Sequence, residues 1–577
     1  MKKTWLSRFC ISAALIGTLL ANTTAGLVSA ANTPDEYHDD WLHVNENAEI
    51  VDMDGNPVWL TGCNWFGYNV GSQVFDGVWS RNMHEMLQEI ADHGFNFLRV
   101  PMSTEILLQW KNGDPDPATP KVNQYSNPEL TLEGVEGGTI MYSFDIWNKA
   151  VEWCRELGIK IMIDIHCAET ASAGHQISLW YTDKFSTEDW FEALEWFADY
   201  YKDDDTILAI DLKNEPHGTA DVPDQMAKWD DSKDPTNWKY AAETAAAKVL
   251  AINPELLIMV EGTEVYPKFE EGADWTSLRI DYTTMYEYYH HTWWGGCFRG
   301  AKDYPIDLGE HQDQLVYSPH DYGPLVWTQE WFYDGFTQET LLEDCWYDNW
   351  FFIQDTGMAP LLMGEWGGFL DEEHDKDGKN RAWMTYLRDF MIENRIHHTF
   401  WCFNENSGDT GGLVYDNFGT WDEVKYNFVL PSLWKTEDGT FIGLDHKIPL
   451  GKNGITVAEY YGAEPQPTQP TKPTEPDETK PTEGKTEPTE GKTEPSEKET
   501  KPTSAPDTKA VYGDVNLDGD VDILDIIVLN RALLGAASLS DDAAANADVD
   551  KDKKPTPADS LNIMKYLVGL IAALPVK

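Results

Sequence analysis

Two glutamates close apolar runs of the chain: Glu215 ends ILAIDLKNEP and Glu365 ends LLMGEW. Other reactive side chains end runs of the same kind. Arg99 follows Phe97-Leu98, His166 ends IMIDIH, Asn214 precedes Glu215, His320 and Tyr322 end VYSPHDY, and Trp401 lies in TFWCFNEN. Taken alone, each has an ordinary reading: a solvated glutamate, an ion-paired arginine, a core histidine, a packed aromatic ring. Their joint occurrence at successive run ends points to one site. Paired carboxylates in unlike surroundings suit cleavage of an acetal such as a glycosidic bond, because one protonates the leaving oxygen while the other attacks or activates water. Such a step calls for no cofactor.

These residues need strands to position them. Runs rich in β-branched residues occupy Val58–Asn64, Phe95–Pro101, Lys160–His166, Ile207–Glu215, Leu256–Gly262, Leu315–Tyr322, Leu361–Gly367 and Thr399–Asn404. Amphipathic stretches at Arg81–His93, Ser143–Leu157, Glu188–Tyr201 and Asn237–Ile252 lie between several of them. Alternating βα units of this number predict an α/β fold, a (β/α)8 TIM barrel spanning residues 36–462, in preference to an open doubly wound sheet. A barrel gathers strand C-termini at one face. Glu215 and Glu365, on the fourth and seventh strands, would then face each other across its mouth.

Composition narrows the partners. The 577 residues carry 99 Asp and Glu against 43 Lys and Arg, a formal charge of −56. So acidic a surface repels nucleic acid and anionic membranes alike. The 25 Trp and 25 Tyr exceed the needs of a core and suit a ligand with apolar faces and polar edges, as sugars have. Residues 1–30 read as a secretory signal: Lys2, Lys3 and Arg8, an apolar run from Phe9 to Leu20, and Val28-Ser29-Ala30 before the cut. No later apolar stretch is long enough to span a bilayer, so a soluble exported protein is expected. Cys63, Cys154, Cys167, Cys297, Cys345 and Cys402 include no C-x-x-C pair and are read as buried free thiols in preference to a disulfide framework. Residues 463–509, rich in Pro, Thr, Glu and Lys and repeating TEGKTEP at 482–488 and 489–495, form a linker.

Beyond it, residues 510–577 hold DVNLDGDVDILD and, further on, DVDKDKKPTPAD. Both place oxygen donors at the positions of a calcium loop. Asp514, Asn516, Asp518, Asp522 and Asp525 would be the first ligand set, with Gly519 at the turn. Asp548, Asp550, Asp552 and Asp559 would be the second, where Lys553 replaces the turn glycine and Pro555 and Pro557 stiffen the loop; whether calcium fills it stays open. Each loop runs into one amphipathic stretch, Ile526–Leu534 or Ser560–Leu570, unlike a sensor EF-hand with its two flanking helices.

The stretches WLTGCNWFGYN, GVWSRNMHEML, FLRVP, DLKNEPHG, VYSPHDYGP, MGEWGG and NSGDTGGL, in this order over residues 41–435, resemble the glycoside hydrolase family 5 cellulases of clan A. The resemblance implies a retaining double displacement with Glu215 as general acid/base and Glu365 as nucleophile, their carboxylates about 5 to 5.5 Å apart. It further implies that Arg99 and Tyr322 keep Glu365 ionised, Asn214 holds the substrate 2-hydroxyl, and His166 and His320 bind hydroxyls or tune Glu215. Trp401 would be a sugar platform, and Trp293 and Trp294 would line the cleft. Trp65, Trp180, Trp327 and Trp331 are weaker aromatic candidates. Residues 167–178 and the continuation of SPHDYGPLVW depart from the family pattern, which leaves endo against exo action open, and residues 436–462 lie beyond the match as a possible cap. The duplicated loop and helix resembles the dockerins of cellulosomes, small all-α calcium modules that dock onto a cohesin of a scaffoldin. Ile523-Leu524 and Pro557-Ala558 stand at its partner-selecting positions and differ enough to disfavour two equivalent docking orientations. The expected protein is an extracellular cellulosomal endo-β-1,4-glucanase acting on cellulose, monomeric apart from docking. Mannan, xyloglucan, mixed-linkage glucan or exo-acting cleavage would use the same machinery, and a noncatalytic glycan-binding protein is the rival of another class.

Overall fold

The computed structural model describes residues 39–113, 120–277, 285–462, 512–517, 521, 523–533, 539–551, 553–567, 571 and 573–575. The expected signal and linker lie outside the described residues, as do Asp518, Gly519, Asp522 and Asp552. The chain divides into two compact units, each considered by itself.

The larger unit is an eight-stranded parallel barrel. Its strands are β1 Thr61–Asn64, β2 Phe97–Ser103, β3 Lys160–Cys167, β4 Ile207–Asp211, β5 Leu257–Val260, β6 Leu315–Tyr317, β7 Leu362–Met363 and β8 His397–Phe400. Neighbours pair in chain order, β8 pairs with β1, and parallel bridges from Tyr317 to Leu361 and from His320 to Glu365 join β6 to β7 and close the ring. All eight runs read from the sequence form strands, and several are shorter than expected. Thus β4 stops at Asp211 because the chain turns sharply toward Glu215, which adopts φ 51°. Even so, the amides of Leu212 and Asn214 still donate to Met259 and Ile165 of the flanking strands, at 3.3 and 3.0 Å.

Amphipathic helices α1 Met83–Asp92, α2 Thr104–Asn112, α3 Ser143–Glu156, α4 Thr187–Tyr200 and α5 Trp238–Leu250 pack around the strands. Their starts are set by local chemistry: Asn82 and Ser103 cap α1 and α2, and Ser186 with Asp189 forms a capping box on α4. Three features escaped the sequence reading. Helix α2 follows β2 directly; an antiparallel pair, Val265–Pro267 with Tyr289–His291, follows β5; and α6, residues 338–355, is π-helical over Leu342–Phe351. Helices α7 Lys379–Asn394 and α8 Glu423–Val429 flank β8.

The barrel base is sealed by the chain beyond β8. Phe97, Met162, Leu208, Leu257, Val316 and Leu362, near the strand N-termini, form one apolar cluster with Trp434, Ile442, Leu444 and Val457. Residues 436–462 are therefore part of the fold, a plug under the barrel. Charges tie it in place. Lys160 Nζ lies 2.8 Å from Asp40, 3.1 Å from Asp445 and 3.4 Å from Asp205, while His446 contacts Asp40 at 2.7 Å and Asp52 at 3.4 Å. All six cysteines of this unit are buried and free.

The smaller unit holds α9 Ile523–Leu533, α10 Asp541–Ala547 and α11 Pro557–Leu567 around a core of Val515, Ile526, Leu529, Ala547, Val549 and Ile563. Both helices of the duplication are present but begin three residues earlier than read, taking in Ile523-Leu524 and Pro557-Ala558, and α10 is added between the halves. That helix is short, alanine-rich and capped by Ser540, so it lacks the apolar periodicity that reveals α9 and α11. No helix among the described residues is long and apolar enough to cross a membrane.

The plug makes stability depend on pH. Burial opposes the charge on His446, but hydrogen bonds to Asp40 and Asp52 outweigh it and lift the imidazole from 6.5 to about 9. A group raised on folding stabilises fully below its unfolded value, and this contribution, at most about 3 kcal/mol, is lost as pH rises through the folded value. Barrel stability should therefore fall between pH 6.5 and 9 in urea unfolding. Tryptophan fluorescence reports this barrel alone, since every Trp precedes residue 435. The H446Q variant should be weaker at pH 6 and lack most of that slope.

Candidate active site

At the C-terminal mouth, one buried cation organises the acids. Arg99, on β2 and fully buried, donates through Nη1 to Glu365 Oε1 at 2.8 Å and to Asn64 Oδ1 at 3.0 Å. Its Nη2 donates to Asp211 Oδ2 at 3.0 Å, Asn214 Oδ1 at 3.0 Å and Glu261 Oε1 at 3.2 Å, and Nη1 lies 3.3 Å from Asp164 Oδ2. Four carboxylates around one guanidinium leave that cation permanently charged despite burial.

Glu365 receives a second donor, the Tyr322 hydroxyl, 2.7 Å from Oε2. Burial lifts this carboxyl above its ordinary value and the Glu215 charge adds to that, against His320 and Arg99. Glu215 faces it. A carboxylate oxygen of each and a ring nitrogen of His320 all lie within 4.8 Å of one another. His320 Nδ1 contacts Glu215 Oε1 at 3.0 Å and its Nε2 lies 3.2 Å from Glu261 Oε1. Burial opposes charge on His320, but these carboxylates push its pKa well above the usual 6.5. Burial likewise raises Glu215, yet the hydrogen bond and charge of His320 bring it below its ordinary value. The backbone serves the same end: the Glu215 amide donates to Glu261 Oε2 at 2.6 Å, holding the residue in its left-handed conformation. Gly295 approaches so closely that a Cβ there would stand 2.3 Å from the same oxygen.

The site opens into a cleft of about 980 Å³. Trp401 lies parallel to His166, at 5.6 Å and 8°, and to Phe66, at 5.7 Å and 18°, and its indole donates to Ser407 Oγ at 3.2 Å. His166 is oriented from behind by Asp164, 3.0 Å from its Nδ1. Trp294 stacks on His217 at 3.7 Å and 3°, whereas Trp293 is more deeply buried and meets Tyr322 edge-on at 6.1 Å. Of the weaker aromatic candidates, Trp65, Trp180 and Trp331 are buried in the core, and Trp327, 53% exposed, lines the cleft.

The structure thus gathers Glu215, Glu365, Arg99, His166, Asn214, His320, Tyr322, Trp293, Trp294 and Trp401 at one mouth. Reading only the last polar residues of the runs missed Asp164 and Asp211, which lie inside theirs, while Asn64 and Glu261 close the first and fifth runs and were passed over. The signal was present: a charge inside IMIDI, ILAID or directly after LIMV has no place in a buried strand without a partner. In the smaller unit, oxygens of Asp548, Asp550 and Asp559 lie within 4.8 Å of one another. Asp559 Oδ1 accepts from the Asp550 amide at 3.0 Å, and in the first loop Asp525 Oδ1 accepts from Val515 and Asn516 at 2.6 and 3.0 Å. Lys553 adopts φ 83°, the conformation for which a glycine is suited.

A family model described as cellulase (glycosyl hydrolase family 5) matches residues 51–407, and one described as dockerin type I domain matches residues 512–568. Endoglucanase G of Acetivibrio thermocellus is 46% identical over 541 residues, covering 91% of this chain and 90% of its own. Endoglucanase B of the same organism is 42% identical over 522 residues, covering 87% of each. Among solved structures, an endocellulase of Pyrococcus horikoshii superposes with a TM-score of 0.58 at 31% identity, covering 68% of this chain and 98% of its own, and that enzyme has been solved with cellotetraose. By these matches and its eight-stranded barrel, the chain belongs to glycosyl hydrolase family 5 and carries a type I dockerin domain.

Proposed function

We propose that this chain is an exported endo-β-1,4-glucanase that cleaves cellulose with retention and is held on a scaffoldin by its dockerin. The observation that carries the reading is the approach of Glu215 and Glu365 to within 4.8 Å across the cleft, with two donors on Glu365. Retaining glycosidases need the short carboxylate spacing, whereas inverting ones leave about 6.5–9.5 Å for a water.

In the first step a Glu365 oxygen attacks the anomeric carbon. The bond to the leaving O4 breaks as Glu215 protonates that oxygen, giving a glycosyl-enzyme. In the second, Glu215 takes a proton from water, the hydroxide adds to the same carbon, and Glu365 leaves as carboxylate. Arg99 and Tyr322 donate to both Glu365 oxygens and so favour its anion. The leaving group's proton comes from the His320–Glu215 contact, where one proton is shared along a 3.0 Å line and the imidazole feeds the carboxyl. Asn214, whose Oδ1 is engaged by Arg99 and whose Nδ2 has no hydrogen-bond partner among the described residues, suits the sugar 2-hydroxyl. Trp401 offers the sugar a flat apolar face, and Trp293, Trp294 and Trp327 extend the cleft.

Type I dockerins bind calcium, and the second loop fits that ion through Asp548, Asp550 and Asp559, oxygen donors already converging. Asp514, Asn516 and Asp525 serve the first loop. Calcium supplies a charge that lets these acids approach, fixing α9 and α11 for a cohesin.

Activity on defined substrates, its pH dependence and the effect of calcium removal test this reading. On soluble carboxymethyl cellulose, the wild type should lower viscosity quickly, and E365Q should lose activity by a factor on the order of 10⁴. E215Q should lose about 10² to 10⁴ on cellulose, yet keep most of its kcat/KM on a dinitrophenyl cellobioside whose leaving group needs no proton, while kcat there still falls because the second step lacks its base. Activity confined to mannan or xylan would change the substrate. The kcat/KM profile should be bell-shaped, with its acidic limb above 4.5 because burial raises Glu365, and its alkaline limb above 6.5 because His320 is raised. H320N should draw the alkaline limb down, since Glu215 then holds the proton alone. Removing calcium with EDTA should lower the helicity of the dockerin and abolish cohesin capture while leaving kcat unchanged.

A further inference from the structure

Between His320 and Tyr322 stands Asp321, whose side chain points away from the cleft and is 1% exposed. Trp383 of α7 donates its indole N–H to Asp321 Oδ1 at 2.8 Å. Trp350 and Trp346, on the π-helical part of α6, lie near enough to act on its ionisation, while their indole nitrogens and Asp321 Oδ2 make no hydrogen bond among the described residues. An indole nitrogen only donates, so the Asp321 oxygen that Trp383 reaches is held as an acceptor. Among the described residues no cation accompanies it: burial, the largest effect, outweighs the indoles that oppose it and leaves the acid raised to about 7.

The setting gives this arrangement a purpose. The Asp321 amide donates to the Glu365 carbonyl at 3.2 Å, and His320 is bridged to Glu365 in the strand ladder. A widened helical turn is a costly device, commonly kept where function needs a particular side-chain alignment. Here it carries Trp346 and Trp350, both buried, with ring centroids 5.8 Å apart.

We propose that Asp321 is a positioning residue: its indole-clasped carboxylate anchors the turn after β6 so that His320 reaches Glu215 and Tyr322 reaches Glu365. The inference rests on the roles proposed above for those pairs. Misplacement of reacting groups by about 1 Å costs on the order of 100-fold. Removing the anchor should also loosen the His320–Glu215 pair and so change how it holds its proton. That pair is faced by Asp164, Asp211, Glu261, Glu365, His166 and His217 and by Lys213, His175 and Tyr322, and Asp321 itself by Cys345 of α6. None of these changes in the substitution.

The test compares wild type, D321N and the milder W383F in full-length protein on cellotetraose, with the active fraction counted by a mechanism-based inactivator. D321N should lose about 10- to 100-fold in kcat per active site with KM changed less than about threefold, and its alkaline limb should shift to lower pH. W383F, which keeps the carboxylate and removes the 2.8 Å donor, should shift both in the same direction by less. Wild-type kcat and pH profile per active site in both variants, whatever their melting temperatures, would overturn the inference and leave a structural role only. An inactive wild type would instead overturn the functional reading beneath it.

Discussion

A single guanidinium, buried to 0% exposure and shared among four carboxylates, is the constraint on which the site depends. An unpaired buried charge costs several kcal/mol, so Arg99 holds Asp164, Asp211, Glu261 and Glu365 where they are, and they hold it. These acids come from β3, β4 and the ends of β5 and β7, so one residue of β2 ties together most of the barrel mouth. The catalytic face is rigid because its electrostatics would fail otherwise. Glu365 is the only one of the four that lines the cleft, which makes the ligands of Arg99 a foundation beneath the reacting acid.

On that base, the two glutamates are told apart by their nearest partners. Glu365 meets a guanidinium and a phenol, neither of which takes its place as an acid toward a leaving group. Glu215 meets an imidazole, which trades a proton with it readily. Burial raises both and prevails at Glu365, whereas the hydrogen bond and charge of His320 bring Glu215 below its ordinary value. The partners are in turn held by a further layer. Asp164 orients His166, Glu261 holds both His320 and the strained backbone of Glu215, and the three indoles at Asp321 stand behind the turn that carries His320 and Tyr322.

Much of this was legible in the sequence. The eight strands, the two glutamates and the flanking His-x-Tyr stand out because each polar residue ends an apolar run, a pattern that only a parallel sheet open at one end explains. Asp164, Asp211 and Glu261 were not legible as a set, because their partner, Arg99, is remote in sequence and only barrel closure brings them together. Helix α2 and the π-helical segment were missed for different reasons: α2 follows β2 without a break, and the widened turns of the π-helix are decided by tertiary packing. The plug formed by residues 436–462 could be bounded but not assigned, since its few apolar residues gain meaning only against the barrel base. In the dockerin, the spacing of acids revealed both loops, and Lys553 at φ 83° occupies the position where a glycine was missing.

The central claim is that Glu365 becomes covalently bonded to sugar. Inactivation with a 2-deoxy-2-fluoro-cellobioside bearing an activated leaving group, followed by proteolysis and mass spectrometry, reads this directly. The account predicts one fluorosugar per barrel, on the peptide containing Glu365 and on that residue. A label on Glu215, or turnover that inverts the anomeric centre with no trapped adduct, would contradict it.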